Sequence, residues 1–177
     1  RNGIGISDDY NNVFALDGKL GLGKKAQITG YISKSSTPGI KSREHAFKIL
    51  AVYNWNGWNL RAGYTEVGEG FNPEVGFLQR SAFKKPEFLI FKQWRPNNTG
   101  KFLEVRPHVS YRGYWNFNNT QETGFLHIDN HWVWESGFEI HTGINFTKET
   151  VLEAFPISLV TIDPGIYDHK EYHLHCG

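Results

Sequence analysis

Apolar and polar residues alternate along most of this chain with a period of two, the spacing of β-strands whose two faces meet different surroundings. Over 102–112, Leu103, Val105, Pro107, Val109 and Tyr111 share one side, while Glu104, Arg106, His108, Ser110 and Arg112 share the other. The run 138–146 sets Phe138, Ile140, Thr142, Ile144 and Phe146 against Glu139, His141, Gly143 and Asn145. Between 123 and 135, Leu126, Ile128, Trp132 and Trp134 oppose His127, Asp129, His131 and Glu135. The same rhythm runs through Phe14–Leu22, resumes at Ile28 and Ile32, and returns in 58–67, where Trp58, Leu60, Ala62 and Tyr64 oppose Asn59, Arg61, Gly63 and Thr65. It breaks at 49–53, apolar on both sides, and at Phe125 and Val133, which fall on the polar side.

Turn chemistry separates these runs. Asn56-Gly57 is a strong two-residue hairpin signal joining 44–55 to 58–67. Pro96-Asn97-Asn98-Thr99-Gly100 joins 86–95 to 101–113, residues 116–120 lead into 121–135, and Ser136-Gly137 makes the next reversal. Segments 35–43 and 68–85 read as long loops and 149–167 as irregular. Sequential hairpins predict an all-β, antiparallel up-and-down meander of about eight or nine long strands. Strands of this length exceed the usual soluble mode of about 5–6 residues and match the roughly 9–11 needed to cross a bilayer at a tilt. Trp and Tyr cluster near strand ends, where an interfacial girdle would place them. The expectation is an outer-membrane-type β-barrel, and a partial one, since nine strands is an odd number for a bacterial single-chain barrel.

Composition narrows the field. Aromatics reach 15% while mean hydropathy is polar at −0.48, which suits strands with one wet face better than a helical bundle. A net charge of +1 gives no electrostatic case for nucleic acid. Cys176 stands alone, so no internal disulfide framework exists. No run of 18 apolar residues signals a transmembrane helix, and a barrel needs none. With Arg1 at its start and no methionine, the chain reads as one barrel domain segment, 1–177, of a longer protein.

The most distinctive stretch is Gly68-Glu69-Gly70-Phe71-Asn72-Pro73-Glu74-Val75-Gly76-Phe77-Leu78-Gln79-Arg80, preceded by Gly63-Tyr64-Thr65-Glu66-Val67 and followed much later by Pro164-Gly165-Ile166-Tyr167. These motifs resemble an uncharacterised bacterial family that joins a carbohydrate-binding-module-like N-terminal domain to an outer-membrane-like β-barrel. The resemblance implies a Gram-negative outer-membrane location, lipid as a partner, and the rest of its own chain as another. It transfers no catalytic residue to the barrel, and any hydrolase activity would lie in the upstream domain. Pro73 and Asn72 are turn formers in their own right, and Phe71, Phe77 and Leu78 can tuck the loop into a barrel mouth. Phe71, Asn72, Pro73, Glu74, Phe77 and Arg80 are therefore the candidates for contact with a carbohydrate or small solute.

The polar faces supply the remaining candidates: Arg61, Glu104, Arg106, His108, His127, Asp129, His131, Glu139, His141 and His173 are expected to line a hydrated interior. His173 and His175 share a strand face that Cys176 does not, so the C-terminal His/Cys group lacks converging ligands and no metal or other cofactor is assigned. His127, Asp129 and His131 alternate on one face without a marked nucleophile, which points to a hydrated or proton-sensitive cluster. Glu66, Glu69 and Glu74, near one loop, are the candidates for a carboxylate pair of the kind glycoside hydrolysis uses. The leading expectation is a non-catalytic barrel domain with a structural, transport or surface-binding role. The alternatives are a soluble all-β glycan-binding module and, behind it, a glycoside hydrolase.

Overall fold

The computed structural model describes residues 9–74, 76–96 and 102–177. Its strands are β1 (Asn12–Leu22), β2 (Ala26–Ser36), β3 (His45–Trp55), β4 (Trp58–Val67), β5 (Phe83–Lys92), β6 (Phe102–Val105), β7 (His108–Trp115), β8 (Gln121–Trp134), β9 (Glu139–Val151), β10 (Phe155–Ile157), β11 (Val160–Ile162) and β12 (Gly165–Cys176). No helix occurs among the described residues. The main sheet runs β1-β2-β3-β4-β5-β7-β8-β9-β12, antiparallel throughout, with β6 added alongside β8. Each strand of the path thus pairs with its neighbours in sequence, the meander expected from the hairpin signals. The sheet does not close on itself: β1 and β12 are its free edges.

Local chemistry explains most boundaries. Asn56 and Gly57 take φ of 48° and 78°, the left-handed pair that matches a tight hairpin to the strands' twist. The run 102–112, expected as one strand, is two: β6 and β7 are separated at Arg106-Pro107, since proline has no N–H for the ladder. The strand expected at 86–95 lies three residues earlier, at Phe83–Lys92. The stretch 149–167, expected to be irregular, continues β9 to Val151, holds the small β10–β11 hairpin and begins β12. The turn at Asn97–Gly100, the strand start at Lys101 and Val75 of the glycine-rich loop lie outside the described residues.

Register divides the sheet into two faces. One carries unbroken cross-strand rows, such as Tyr172–Ile144–Ile128–Val109–Ile90–Leu60–Tyr53–Ala26. The adjacent row is Phe146–Leu126–Tyr111–Phe88–Ala62–Ala51–Ile28–Leu20. All six tryptophans fall on this face by alternation and pairing, and Trp55, Trp58, Trp94, Trp132 and Trp134 gather at the end of the short turns. Asn130 and Thr142 interrupt it near that rim. The opposite face holds Lys19, Thr29, Arg61, Glu87, Arg112, His127 and their neighbours. Phe125 does sit there, and the Arg112 guanidinium stacks over its ring at 4.5 Å.

Neither face is a dry core. Among the described residues only Ala46, Val67 and Phe83 are buried hydrophobics, whereas Leu16 is 73% exposed and Tyr172 75%. The small core sits at the long-loop end of the polar face, where Phe71, Leu78 and Tyr114 pack on those three residues. Of the three loop residues expected to tuck in, Phe71 and Leu78 pack against the sheet and Phe77 does not, being 90% exposed. Gly70 is required there, because a Cβ would stand 2.0 Å from the Ser42 carbonyl oxygen.

Candidate functional site

Ten side chains were expected on the polar face, and nine of them form one connected network near the junction of β7, β8, β9 and β12. Its centre is Asp129, whose side chain is only 2% exposed. His108 lies directly across from it on β7 and Gly143 directly across on β9. Because Gly143 has no side chain, His173 of β12, paired with Gly143, reaches over β9 to the same carboxylate. A Cβ at 143 would lie 2.3 Å from His173 Nε2. Five of the eight histidines converge here from four strands.

The geometry is specific. His141 Nε2 makes a short hydrogen bond to Asp129 Oδ2, and His127 and His173 Nε2 stand 3.2 and 3.4 Å from the same oxygen. His108 Nε2 is 3.9 Å from Oδ2, and His131 Nε2 is 4.0 Å from Oδ1. The His131 and His141 rings stack at 4.0 Å between centroids. Outward from this ring, Glu139 Oε1 meets His131 Nδ1 at 2.5 Å and accepts from Arg106 Nη2 at 2.8 Å. Arg106 Nε lies 3.4 Å from Glu104, which also accepts from Gln93 at 2.7 Å and Arg95 at 3.2 Å. Among the described residues no serine or cysteine is hydrogen-bonded to the five imidazoles, so the cluster lacks the nucleophile of an acyl-transfer triad.

Glu104 lies in β6 at the short-turn rim. Burial pulls its carboxyl upward, but hydrogen bonds from Gln93 and Arg95 and the charges of Arg106 and Arg95 outweigh this and hold it below the usual carboxylate range. A depressed folded pKa stabilises the fold above the unfolded value of about 4.3 and loses that contribution as pH falls through the folded value. The wild-type advantage over Glu104→Gln in denaturant midpoint should thus be full at pH 7, shrink below about pH 4 and vanish in stronger acid. A gap that stays constant across that range would remove Glu104 from the acid response.

The other candidates are dispersed. Arg61 stands apart from the cluster, donating to Asn59 at 3.0 Å beside a hollow of about 540 Å³ on the same face. In the loop, Asn72 donates its N–H to Ser35 Oγ at 2.9 Å and its carbonyl accepts from Asn11 at 2.8 Å. Arg80 pairs with Glu122 at 2.5 Å and lies over Tyr114. Phe71 packs in the small core, Pro73 borders a hollow with Phe71 and Leu78, Glu74 is exposed, and Phe77 is 90% exposed. These contacts hold the loop in place more than they form a binding cleft. Of the three glutamates, Glu66 binds His45 and Tyr64, Glu69 binds Arg43, and Glu69 and Glu74 line the same hollow beside the loop. Cys176 pairs with Ile140 on the apolar face, away from His173 and His175.

Fold and site together define an open antiparallel β-meander with an exposed apolar face and a histidine-ringed aspartate on its polar face. Compared with known proteins, the chain matches no protein-family model, no curated protein and no solved structure.

Proposed function

We propose that this chain is part of an outer-membrane β-barrel, with the tryptophan-rich face against lipid and the charged face lining the interior. The observation that carries the reading is that rows of Ile, Leu, Phe and Trp are exposed or only half-buried, on a sheet with almost no buried core among the described residues. Contiguous apolar surface on this scale needs a cover. An eleven-residue strand such as β1 is about 36 Å long at about 3.3 Å per residue, and at a tilt of about 40° it spans about 28 Å. That is close to the roughly 25 Å apolar band of transmembrane barrels. Three short turns, 23–25, 56–57 and 135–138, lie at one end and three longer connections, 37–44, 68–82 and 152–164, at the other, an asymmetry of the kind such barrels show, from which the long β5–β7 connection at the first end and the short 116–120 turn at the second depart. The free edges β1 and β12 are where further strands would complete the wall.

The role that fits is structural, transport or surface binding, without catalysis by these residues. A carbohydrate or other small solute would sit in the hollow lined by Leu50, Arg61, Glu87, Leu89, Phe91 and Ser110. The resemblance of the 68–80 loop to a bacterial barrel family supports the same reading and links it to carbohydrate handling through an upstream domain. Single cysteines placed in the full-length protein, in a Cys176→Ser background, test it. Ile90→Cys and Ile128→Cys should take a lipid-phase reagent, and Ser110→Cys and Thr29→Cys a water-soluble one. If the protein is soluble without detergent and Ile128→Cys is shielded from both reagents, the apolar face packs on protein and a glycan-binding module becomes the better account.

A further inference from the structure

The hydrogen-bond partners around the histidine ring set which nitrogen of each imidazole carries its hydrogen. The Nδ1 atoms of His108, His127 and His131 each face an acceptor: the Arg106 carbonyl at 3.3 Å, Asn145 Oδ1 at 2.6 Å and Glu139 Oε1 at 2.5 Å. Asn145 is oriented by its own Nδ2, which donates to Glu171 at 2.9 Å. Arg106 Nη2 also approaches His131 Nδ1, but at 3.5 Å, so the much closer carboxylate takes the proton. A neutral imidazole carries one N–H. With that hydrogen on Nδ1, each Nε2 is a bare lone pair.

Those lone pairs face one another and the carboxylate. His127 Nε2 stands 3.2 Å from both Asp129 Oδ2 and His108 Nε2. Asp129 Oδ1 is buried without a hydrogen-bond partner. Acceptors set against acceptors around a buried carboxylate are unfavourable unless a cation lies between them. A metal ion would use the lone pairs directly, with Glu139 and Asn145 orienting the rings as outer partners commonly do for metal-bound histidine.

We propose that this cluster binds a divalent first-row transition-metal ion through Asp129 and the surrounding Nε2 atoms. Two three-donor groups share the carboxylate, His108–Asp129–His131 and Asp129–His141–His173, with the donor atoms of each within 4.8 Å of one another. Metal–nitrogen bonds of about 2.0–2.1 Å place ligand atoms somewhat under about 4 Å apart, a small adjustment for side chains. Imidazole-rich donors favour zinc, cobalt, nickel or copper over calcium and magnesium, which take oxygen. The site is independent of whether lipid or protein covers the opposite face.

The test is metal binding by the full-length detergent-extracted protein after stripping with a chelator, using cobalt(II) absorption and competition by zinc(II). One or two equivalents per chain are expected, with a Kd below about 1 µM. Asp129→Asn should weaken binding at least about tenfold, and Glu139→Gln, which touches no metal, by about 10–100-fold. His169→Gln, outside the ring, should leave it unchanged. Gly143→Ala and His173→Gln serve where Asp129→Asn fails to fold, the first because its methyl occupies the place of the His173 ring. Circular dichroism shows whether each variant keeps its strands. No cobalt uptake by the wild type at micromolar concentration, or equal affinity in wild type, Asp129→Asn and His131→Gln, overturns the proposal.

Discussion

Ile128→Arg is expected, if the apolar face meets lipid as proposed, to destabilise the protein by about 2–4 kcal/mol, measured by reversible unfolding in lipid vesicles. Ile128 lies near the middle of β8, 44% exposed, between Val109 and Ile144 in a row that crosses the whole sheet. In water, a charge at so exposed a position would change stability by no more than about 0.5 kcal/mol. In hydrocarbon the guanidinium must be desolvated or the bilayer deformed around it. The medium therefore sets the size of the effect, and depth should grade it: Leu22→Arg, at the strand end beside the short turn, should cost only about 0–1 kcal/mol. Equal and small effects at both positions would rule out a lipid-facing surface.

The second large effect is expected at the polar centre. Asp129→Ala should lower stability by about 2–4 kcal/mol, even in metal-free protein, with Asp129→Asn costing roughly half as much. The carboxylate accepts from His141 and stands 3.4 Å from His173 Nε2, with its own side chain nearly closed to solvent. Hydrogen bonds to a charged group contribute about 1.5–3 kcal/mol, and breaking a buried pair from one side leaves the partner without its acceptor. Asparagine keeps an acceptor of similar shape, while alanine keeps none. A neutral alanine variant would mean that the histidines are held by their outer partners Glu139 and Asn145 alone.

Both predictions draw on features that differ in how far they can be read from a sequence. Alternation alone separated Ile128 from Asp129 and assigned all ten polar candidates to one face. Asn56-Gly57 located its hairpin correctly because two left-handed residues in succession admit little else. Alternation places Pro107 in register with Val105 and Val109, but its missing N–H, which periodicity does not register, splits β6 from β7. The β10–β11 hairpin has three-residue strands, too short for periodicity to show.

Period two determines which face a residue occupies, and so the sequence by itself decided that this is an antiparallel sheet with an apolar side and a charged side. Which residues become neighbours across strands is a matter of register, set by turn lengths and bulges acting together over the sheet. Only the tertiary structure could therefore bring His108, His127, His131, His141 and His173 onto one aspartate. His173 and Asp129 are 44 residues apart and on strands that do not pair, and they meet because the position between them is a glycine. A glycine in a strand ordinarily reads as a weak point. Here it is the opening through which the ring closes.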